Sequence, residues 1–497
     1  MTEPLLIRPD DARYWGLISG SNTRWVGSPD YIRLVWSTEQ VVAALQQAVD
    51  DDLRVVVRSG GHCDEDFTAN GKVRAVIDVS GMDTVHYDSV MGAFAVAPGA
   101  TLGRVYSTLY KGWGVTLPGG TCPTVGAGGH VAGGGYGALS RLHGLIVDHL
   151  YAVEVVVVDA DGRARAVVAT REPDDPHRDL WWAHTGAGGG NFGIVTRYWF
   201  RSPEAVGDDP ARLLPTPPAE LIVSDISWSW DELDEAGFTR LVTNFGEWHE
   251  RHAGPDADHL SLYSQLKIQH RSAGSFRMST QIDAAEPDAE HTLDAFLAAV
   301  GAGTGATYTV NDRSRVPWFY AVREWFGFVE AAVARWKVKS AYMRRALPAP
   351  QLDALYRQLT REDYPHPYAM VALVSYGGRI NAVATDATAA AQRDSILKLM
   401  YVTLWTDPAE DERHDRWIRE CFDAVYATTG GVPVPGEATD GCFINYADAD
   451  LADPAHNSSG IPWHRLYFKD NYPALQAAKA KWDPREVFSH NLSIRPA

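Results

Sequence analysis

Three glycine-rich stretches constrain this chain more than any other feature: RSGGH at 58–62, PGGTCPTVGAGGHVAGGGYGALSR at 118–141 and GAGGGNFGIVT at 186–196. Glycine loses more conformational freedom on folding than any other residue. Clusters of it make sense where the main chain takes positive φ, or runs so close to a partner that a Cβ would collide. Successive exposed backbone N–H groups also form a concavity suited to a pyrophosphate. Flexible loops would account for one such stretch, and less easily for three. Residues 188–193, GGGNFG, formally match G-x-G-x-x-G, but that fingerprint should follow a strand and open a helix. Here DLWWAHTGA precedes it and the strand-like IVTRYWF follows, which removes the Rossmann reading. The chain has no Walker loop, no H-E-x-x-H helix and no G-x-S-x-G elbow.

With 497 residues the chain can hold two or three domains. Its net charge of −18 would repel a phosphate backbone, so neither nucleic acid nor an anionic membrane is expected as a partner, and a small molecule is. No apolar run reaches membrane-spanning length, and MTEPLLIRPDDARYW lacks the basic and apolar regions of an export signal, so a cytoplasmic protein is expected. Cys63, Cys122, Cys421 and Cys442 have neither metal-ligand spacing nor the density of a disulfide framework. No metal site is expected from them.

Locally, Ser37 and Gln40 fit a capping box ahead of an apolar stripe at Val41, Val42, Leu45 and Ala48. LRVVVRSGG, RAVIDVS and AFAVAPGA read as strands closed by turn residues, and Asp161-Gly162 as a hairpin turn. Proline, glycine and charge gather at 201–221, where a domain boundary is expected. Beyond it, DELDEAGFTRLVTNFGEWHERH and DAEHTLDAFLAAV read as helices, and LSLYSQLKIQ, SFRMSTQID and MVALVSYGGRINAV as alternating strands of an antiparallel sheet. A last helix is expected over YPALQAAKAKW.

His62 behind its double glycine, Cys122 inside GGTCPTVGAGGHVAGGGYG, the stretch GGGNFGIVT and the closing YFKDNYPALQAAKAKWDPREVFSHNLSI together resemble the berberine-bridge-enzyme-like flavin oxidases. Within that family the resemblance is strongest to bacterial enzymes that tailor natural products. It implies an α+β architecture: a two-domain vanillyl-alcohol-oxidase/PCMH-type FAD-binding fold with an antiparallel-sheet substrate domain covered by helices. Residues 1–205 and 451–497 would form the FAD-binding domain and 206–450 the substrate domain. It further implies FAD bonded through the His62 imidazole to the 8α-methyl carbon and through the Cys122 sulfur to C6. Alone, a histidine reads more readily as a hydrogen-bonded structural group, and a cysteine as a small hydrophobe. By the same resemblance Arg58, Ser59, Gly60 and Gly61 would lie at the pyrophosphate, and Gly126, Gly128 and Gly129 beside the flavin. Gly190, Asn191 and Ile194 would lie near the adenine, and Asn471 and Asn491 would hydrogen-bond the cofactor.

An alcohol oxidase needs a base over the flavin to take the hydroxyl proton as hydride leaves carbon. The resemblance implies Tyr446, in INYADAD, as that base and Tyr376, in VSYGGRIN, as a second catalytic tyrosine whose ring would be exposed beside a pocket. A free phenol ionises near pH 10, so the site must favour phenolate. With twenty-one tyrosines present, the residue type alone says little. Plant members use a glutamate base, which Tyr376, Arg379 and Asn381 do not reproduce, and this favours alcohol oxidation. Trp228, Trp230, Trp318, Trp325 and Trp336 would mostly pack in the core and could line an apolar pocket. The expected reaction is oxidation of a secondary alcohol on a bulky natural product, with O2 reoxidising the flavin. A carbohydrate oxidase acting at an anomeric carbon and a flavin-storing protein are the alternatives.

Overall fold

The computed structural model describes residues 3–325 and 334–497, and three sheets organise them. Strands β1 (Leu5–Ile7), β2 (Tyr31–Leu34), β3 (Val55–Arg58) and β4 (Ala75–Asp78) make a four-stranded sheet in the order β1-β2-β4-β3. Its last three strands are parallel and β1 is antiparallel to β2. The helix Thr38–Asp50 supplies the crossover from β2 to β3. Ser37 caps it by accepting from Gln40 N, while the Gln40 amide oxygen accepts from Trp36 N at 2.7 Å, one residue earlier than a strict capping box. Val41, Leu45 and Ala48 are fully buried against the sheet.

A second, antiparallel sheet follows, built from β5 (Val85–Asp88), β6 (Ala93–Val96), β7 (Leu150–Val158), β8 (Ala164–Thr170) and β9 (Ile194–Phe200) in the order β5-β6-β9-β7-β8. The β7–β8 hairpin turns through Gly162 at φ 82°, as Asp161-Gly162 leads one to expect. Two of the glycine stretches lie between strands of this sheet, one between β6 and β7 and the other between β8 and β9.

The third sheet has seven antiparallel strands: β10 (Glu220–Ser229), β11 (Tyr263–Gln269), β12 (Ser275–Asp283), β13 (Thr309–Pro317), β14 (Arg335–Met343), β15 (Ala369–Ser375) and β16 (Leu397–Trp405). Their order is β13-β10-β12-β11-β15-β16-β14. The helices Glu235–Arg251, Ala289–Gly301, Ala349–Leu359 and Asp411–Val425 bury apolar stripes in the same core cluster. Trp228 and Trp230 are core residues here, and Trp318 packs on Tyr106 and Tyr110. Trp336 donates to Asp64 at 2.8 Å, and the side chain of Trp325 lies outside what the structure describes.

After the third sheet the chain returns to the first two. Lys479, on the helix Tyr472–Trp482, donates to the carbonyls of Asn191 and Phe488, and the His490 ring stacks on Phe67 at 4.1 Å. No helix among the described residues is long and apolar enough to cross a membrane.

Candidate active site

The glycine stretches meet backbone to backbone. A Cβ on Gly60 would stand 2.4 Å from Gly126 N, and one on Gly126 would stand 2.2 Å from Ser59 Oγ, so these two loops touch only because neither has a side chain there. Gly61 takes φ +74° and passes its carbonyl to Ser21 N at 2.9 Å. Gly128 is pinned by its N–H on Pro98 O at 2.8 Å, and Ser59 Oγ donates to the same carbonyl at 2.6 Å. Gly129 and Gly189 are both exposed, and a Cβ on Gly189 would come within 4.0 Å of Gly129 Cα. The result is a cleft walled by main chain. At one end His62 Nε2 lies 3.0 Å from Thr124 Oγ1, and Cys122 Sγ lies 3.4 Å from the same oxygen. The adjacent Cys63 thiol is pushed up to about 12 by burial, which keeps it protonated and unreactive.

Tyr446 stands beside this end of the cleft. Asn445, its neighbour, donates to His130 O at 3.0 Å and fills the space over Gly133, which docks the loop on the second glycine stretch. Burial, and after it the negative charge of Asp64, hold the Tyr446 phenol above its ordinary value. Facing it is a residue that sequence reasoning missed. Lys398, on β16, is 3% exposed and directs its ammonium at the Tyr446 hydroxyl from 3.5 Å. The ammonium also lies 4.3 Å from the Tyr136 ring centroid, 4.6 Å from that of Phe443 and 4.6 Å from that of Tyr446. The described residues offer it no carboxylate, and burial lowers it to about 7. The sequence signal was a lone cation inside the apolar strand SILKLMYVTLW.

Tyr376 differs from expectation. β15 ends at Ser375, Gly377 and Gly378 both take positive φ, and the Tyr376 ring is 1% exposed rather than open to a pocket. Its hydroxyl donates to Gln392 O at 3.1 Å, and its ring packs on those of Tyr136 and Tyr342. Arg58 spends its guanidinium on Asp78 at 2.5 Å and on the carbonyls of Leu17 and Ser19, so it locks the first sheet instead of reaching into the cleft. Asn191 donates to the carbonyls of Ala187 and Gly188 and accepts from Ile494 N at 2.9 Å, shaping the third glycine stretch from behind. Ile194 is buried on β9 in register with Val156. The Asn471 amide donates to Thr385 O at 2.8 Å and Thr388 O at 3.1 Å, holding the segment whose Ala390 covers Gly186. Gly190, at φ +72°, faces the His490 ring, and the exposed Asn491 reaches Asp66 at 3.4 Å, near the His62 loop.

The comparisons assign this main-chain site, with its buried lysine–phenol pair, to a flavin-dependent oxidoreductase. Residues 29–167 match the FAD binding domain family and residues 442–495 the berberine and berberine-like family. The chain is 51% identical over 487 residues to aclacinomycin-N/aclacinomycin-A oxidase of Streptomyces galilaeus, covering 98% of this chain and 89% of that protein. It belongs to the berberine-bridge-enzyme-like family of FAD-dependent oxidoreductases. Among solved structures, a flavoenzyme of shunt product recycling in caerulomycin biosynthesis superposes with a TM-score of 0.98 at 51% identity, each chain covered completely. A glycopeptide hexose oxidase complexed with teicoplanin superposes with a TM-score of 0.96 at 49% identity, covering 100% of this chain and 99% of that one.

FAD fits the residues present. The contact between Gly60 and Gly126 brings two glycine stretches together, Gly129 and Gly189 expose bare backbone beside them, and His62 and Cys122 stand together on Thr124. Gly60, Gly61, Gly128 and Gly129 would hold the cofactor by main chain, and Asn491 from the C-terminal segment.

Proposed function

We propose that this enzyme oxidises a secondary alcohol on a bulky, glycosylated secondary metabolite to the carbonyl level, with O2 as the final acceptor, and that Tyr446 is its base. The observation that carries the reading is the Lys398–Tyr446 pair at the His62 and Cys122 end of the cleft. Bound FAD supplies N5 as hydride acceptor. Tyr446 takes the proton of the substrate hydroxyl, and the Lys398 ammonium, caged by three rings, stabilises the phenolate more strongly than it would in water. The relatives' names support the substrate class, since one is an aclacinomycin-N/aclacinomycin-A oxidase and another a glycopeptide hexose oxidase complexed with teicoplanin.

In this reading His62 bonds to the 8α-methyl carbon and Cys122 to C6. Their shared contact with Thr124 supports this, because it sets both nucleophiles at one end of the cleft. Two bonds to the protein relieve the substrate side of gripping the flavin ring and leave it open to a large molecule. We place the reaction in the cytoplasm, consistent with four cysteines that are all unpaired.

A second reading, oxidation of a hexose at its anomeric carbon, is favoured by 34% identity over 534 residues to hexose oxidase of Chondrus crispus. Aerobic incubation with glycosylated polyketides, glycopeptides and free hexoses separates the two, with hydrogen peroxide release as readout and product mass as identification. Turnover of the bulky alcohols alone is expected. Fast oxidation of glucose or cellobiose would replace the first reading with the second.

A further inference from the structure

Thr124 is exposed towards the cleft and presents one hydroxyl to both of the nucleophiles discussed above, 3.0 Å from His62 Nε2 and 3.4 Å from Cys122 Sγ. A thiol attacks carbon as thiolate, and an ordinary thiol holds only a few per cent of that form at pH 7. An imidazole is the natural acceptor for its proton near neutrality. We propose that Thr124 is the proton relay that activates Cys122 for cofactor attachment. The Sγ–H donates to Thr124 Oγ1 while Thr124 Oγ1–H donates to His62 Nε2, which leaves a thiolate beside an imidazolium. The inference rests on the reading that His62 and Cys122 both carry the flavin.

The relay also works after His62 is linked. Carbon bonded to the other ring nitrogen of His62 leaves Nε2 with its lone pair on Thr124, so the acceptor survives that attachment and can serve the one at Cys122. In the Cys122 step one S–H bond and one ring C–H bond are exchanged for a C–S bond. Two protons and two electrons pass to dioxygen, which leaves as hydrogen peroxide.

The experiment compares wild type, T124V and T124S. Each is produced with riboflavin, denatured in iodoacetamide and digested, and the His62 and Cys122 peptides are weighed. Wild type should carry flavin across both peptides. T124V, nearly isosteric but without the hydroxyl, should keep the His62 link and present Cys122 as the alkylated free thiol, with attachment at pH 7 slowed about a hundredfold. T124S should restore the second link. Incubating folded T124V in air at about pH 9.5, one unit above an ordinary thiol, should complete the Cys122 link without the relay, a response that a packing role would not give. Full double attachment in T124V at pH 7 would overturn the proposal. So would loss of both links in a T124V protein of native circular dichroism, or a T124S variant no better than T124V. If wild-type peptides of both kinds are unmodified, the attachment reading itself fails, whatever Thr124 does.

Discussion

Burial strips Lys398 of water and gives it three ring faces and a phenol in exchange, with no carboxylate among the described residues. Desolvation penalises its charged form, which lowers it to about 7, and penalises the Tyr446 phenolate as well, which raises that group. Their 3.5 Å contact lets one proton pass between them. Below about pH 7 lysine and phenol are both protonated and Tyr446 cannot accept. As pH rises through about 7 Lys398 gives up its proton, and its neutral amine can then take the Tyr446 proton as Tyr446 takes that of the substrate. Activity should thus rise with pH through this point. Lys398→Met removes the step: kcat/KM at neutral pH should fall about a hundredfold, and the rising limb should move towards the phenol's own range, near pH 10 or above. A pH profile on one substrate measures both effects. Tyr446→Phe should cost about a hundred- to ten-thousandfold in kcat with flavin content unchanged. Tyr376→Phe removes two buried hydrogen bonds, on Gln392 O and with the Tyr342 hydroxyl, and should lower stability by about 1–3 kcal/mol with a smaller loss of activity than Tyr446→Phe.

β14 is the element that ties the site together. Lys337 and Lys339 share a face by the two-residue period of a strand. Lys337 Nζ lies 3.2 Å from Glu65, 3.0 Å from Asp448 and 3.3 Å from Asp450, and Lys339 Nζ lies 2.6 Å from Asp448 and 2.8 Å from Asp450. Arg419 completes the set on Asp450 at 2.8 Å, so the cations and carboxylates of this buried network balance. Glu65 belongs to the loop that follows His62, and Asp448 to the loop that follows Tyr446, so one strand sets the distance between them. Lys337→Met leaves Glu65 without a cation and Asp448 with Lys339 alone, and should destabilise by about 3–5 kcal/mol in chemical denaturation. Lys337→Arg, which keeps the charge, should lose less. None of this network was legible beforehand. The alternation in WKVKSAYM and the spacing in INYADAD each show a charged face, but Lys337 and Asp448 are 111 residues apart and nothing in either segment names the other. Local features were legible: the Ser37 cap, the Gly162 hairpin and the strands between the glycine stretches follow from neighbouring residues. Lys398 was not, because a lone lysine in an apolar strand reads as an edge residue with its amine in water. Motif resemblance named Arg58, Asn191 and Asn471 as cofactor contacts, but could not say which protein groups would claim their donors.

At the scale of the whole molecule the cleft belongs to no single element. Gly60 and Gly61 follow β3, Gly126 to Gly129 lie between β6 and β7, Gly189 and Gly190 precede β9, Tyr446 follows the third sheet, and Asn491 returns at the end of the chain. A cofactor lying in it touches segments from both ends of the sequence and binds only when they are assembled, so it stabilises the folded state over the unfolded one. How it does so depends on attachment. A freely bound ligand adds RT ln(1 + [L]/Kd), about 2.7 kcal/mol at a hundredfold excess over Kd, and makes Tm rise with added cofactor. A cofactor bonded to the chain remains with the unfolded state as well, and free FAD has no site left to fill. Thermal unfolding of the wild type should therefore be indifferent to added FAD. The double variant His62→Ala with Cys122→Ser keeps the glycine walls but loses both bonds, and its Tm should climb steadily as FAD is titrated in. The single variant Cys122→Ser, still held at His62, should behave as the wild type does. A wild-type Tm that rises with FAD would mean the cofactor exchanges with solvent, and the two attachment points would have to be given up while the cleft and its base stand.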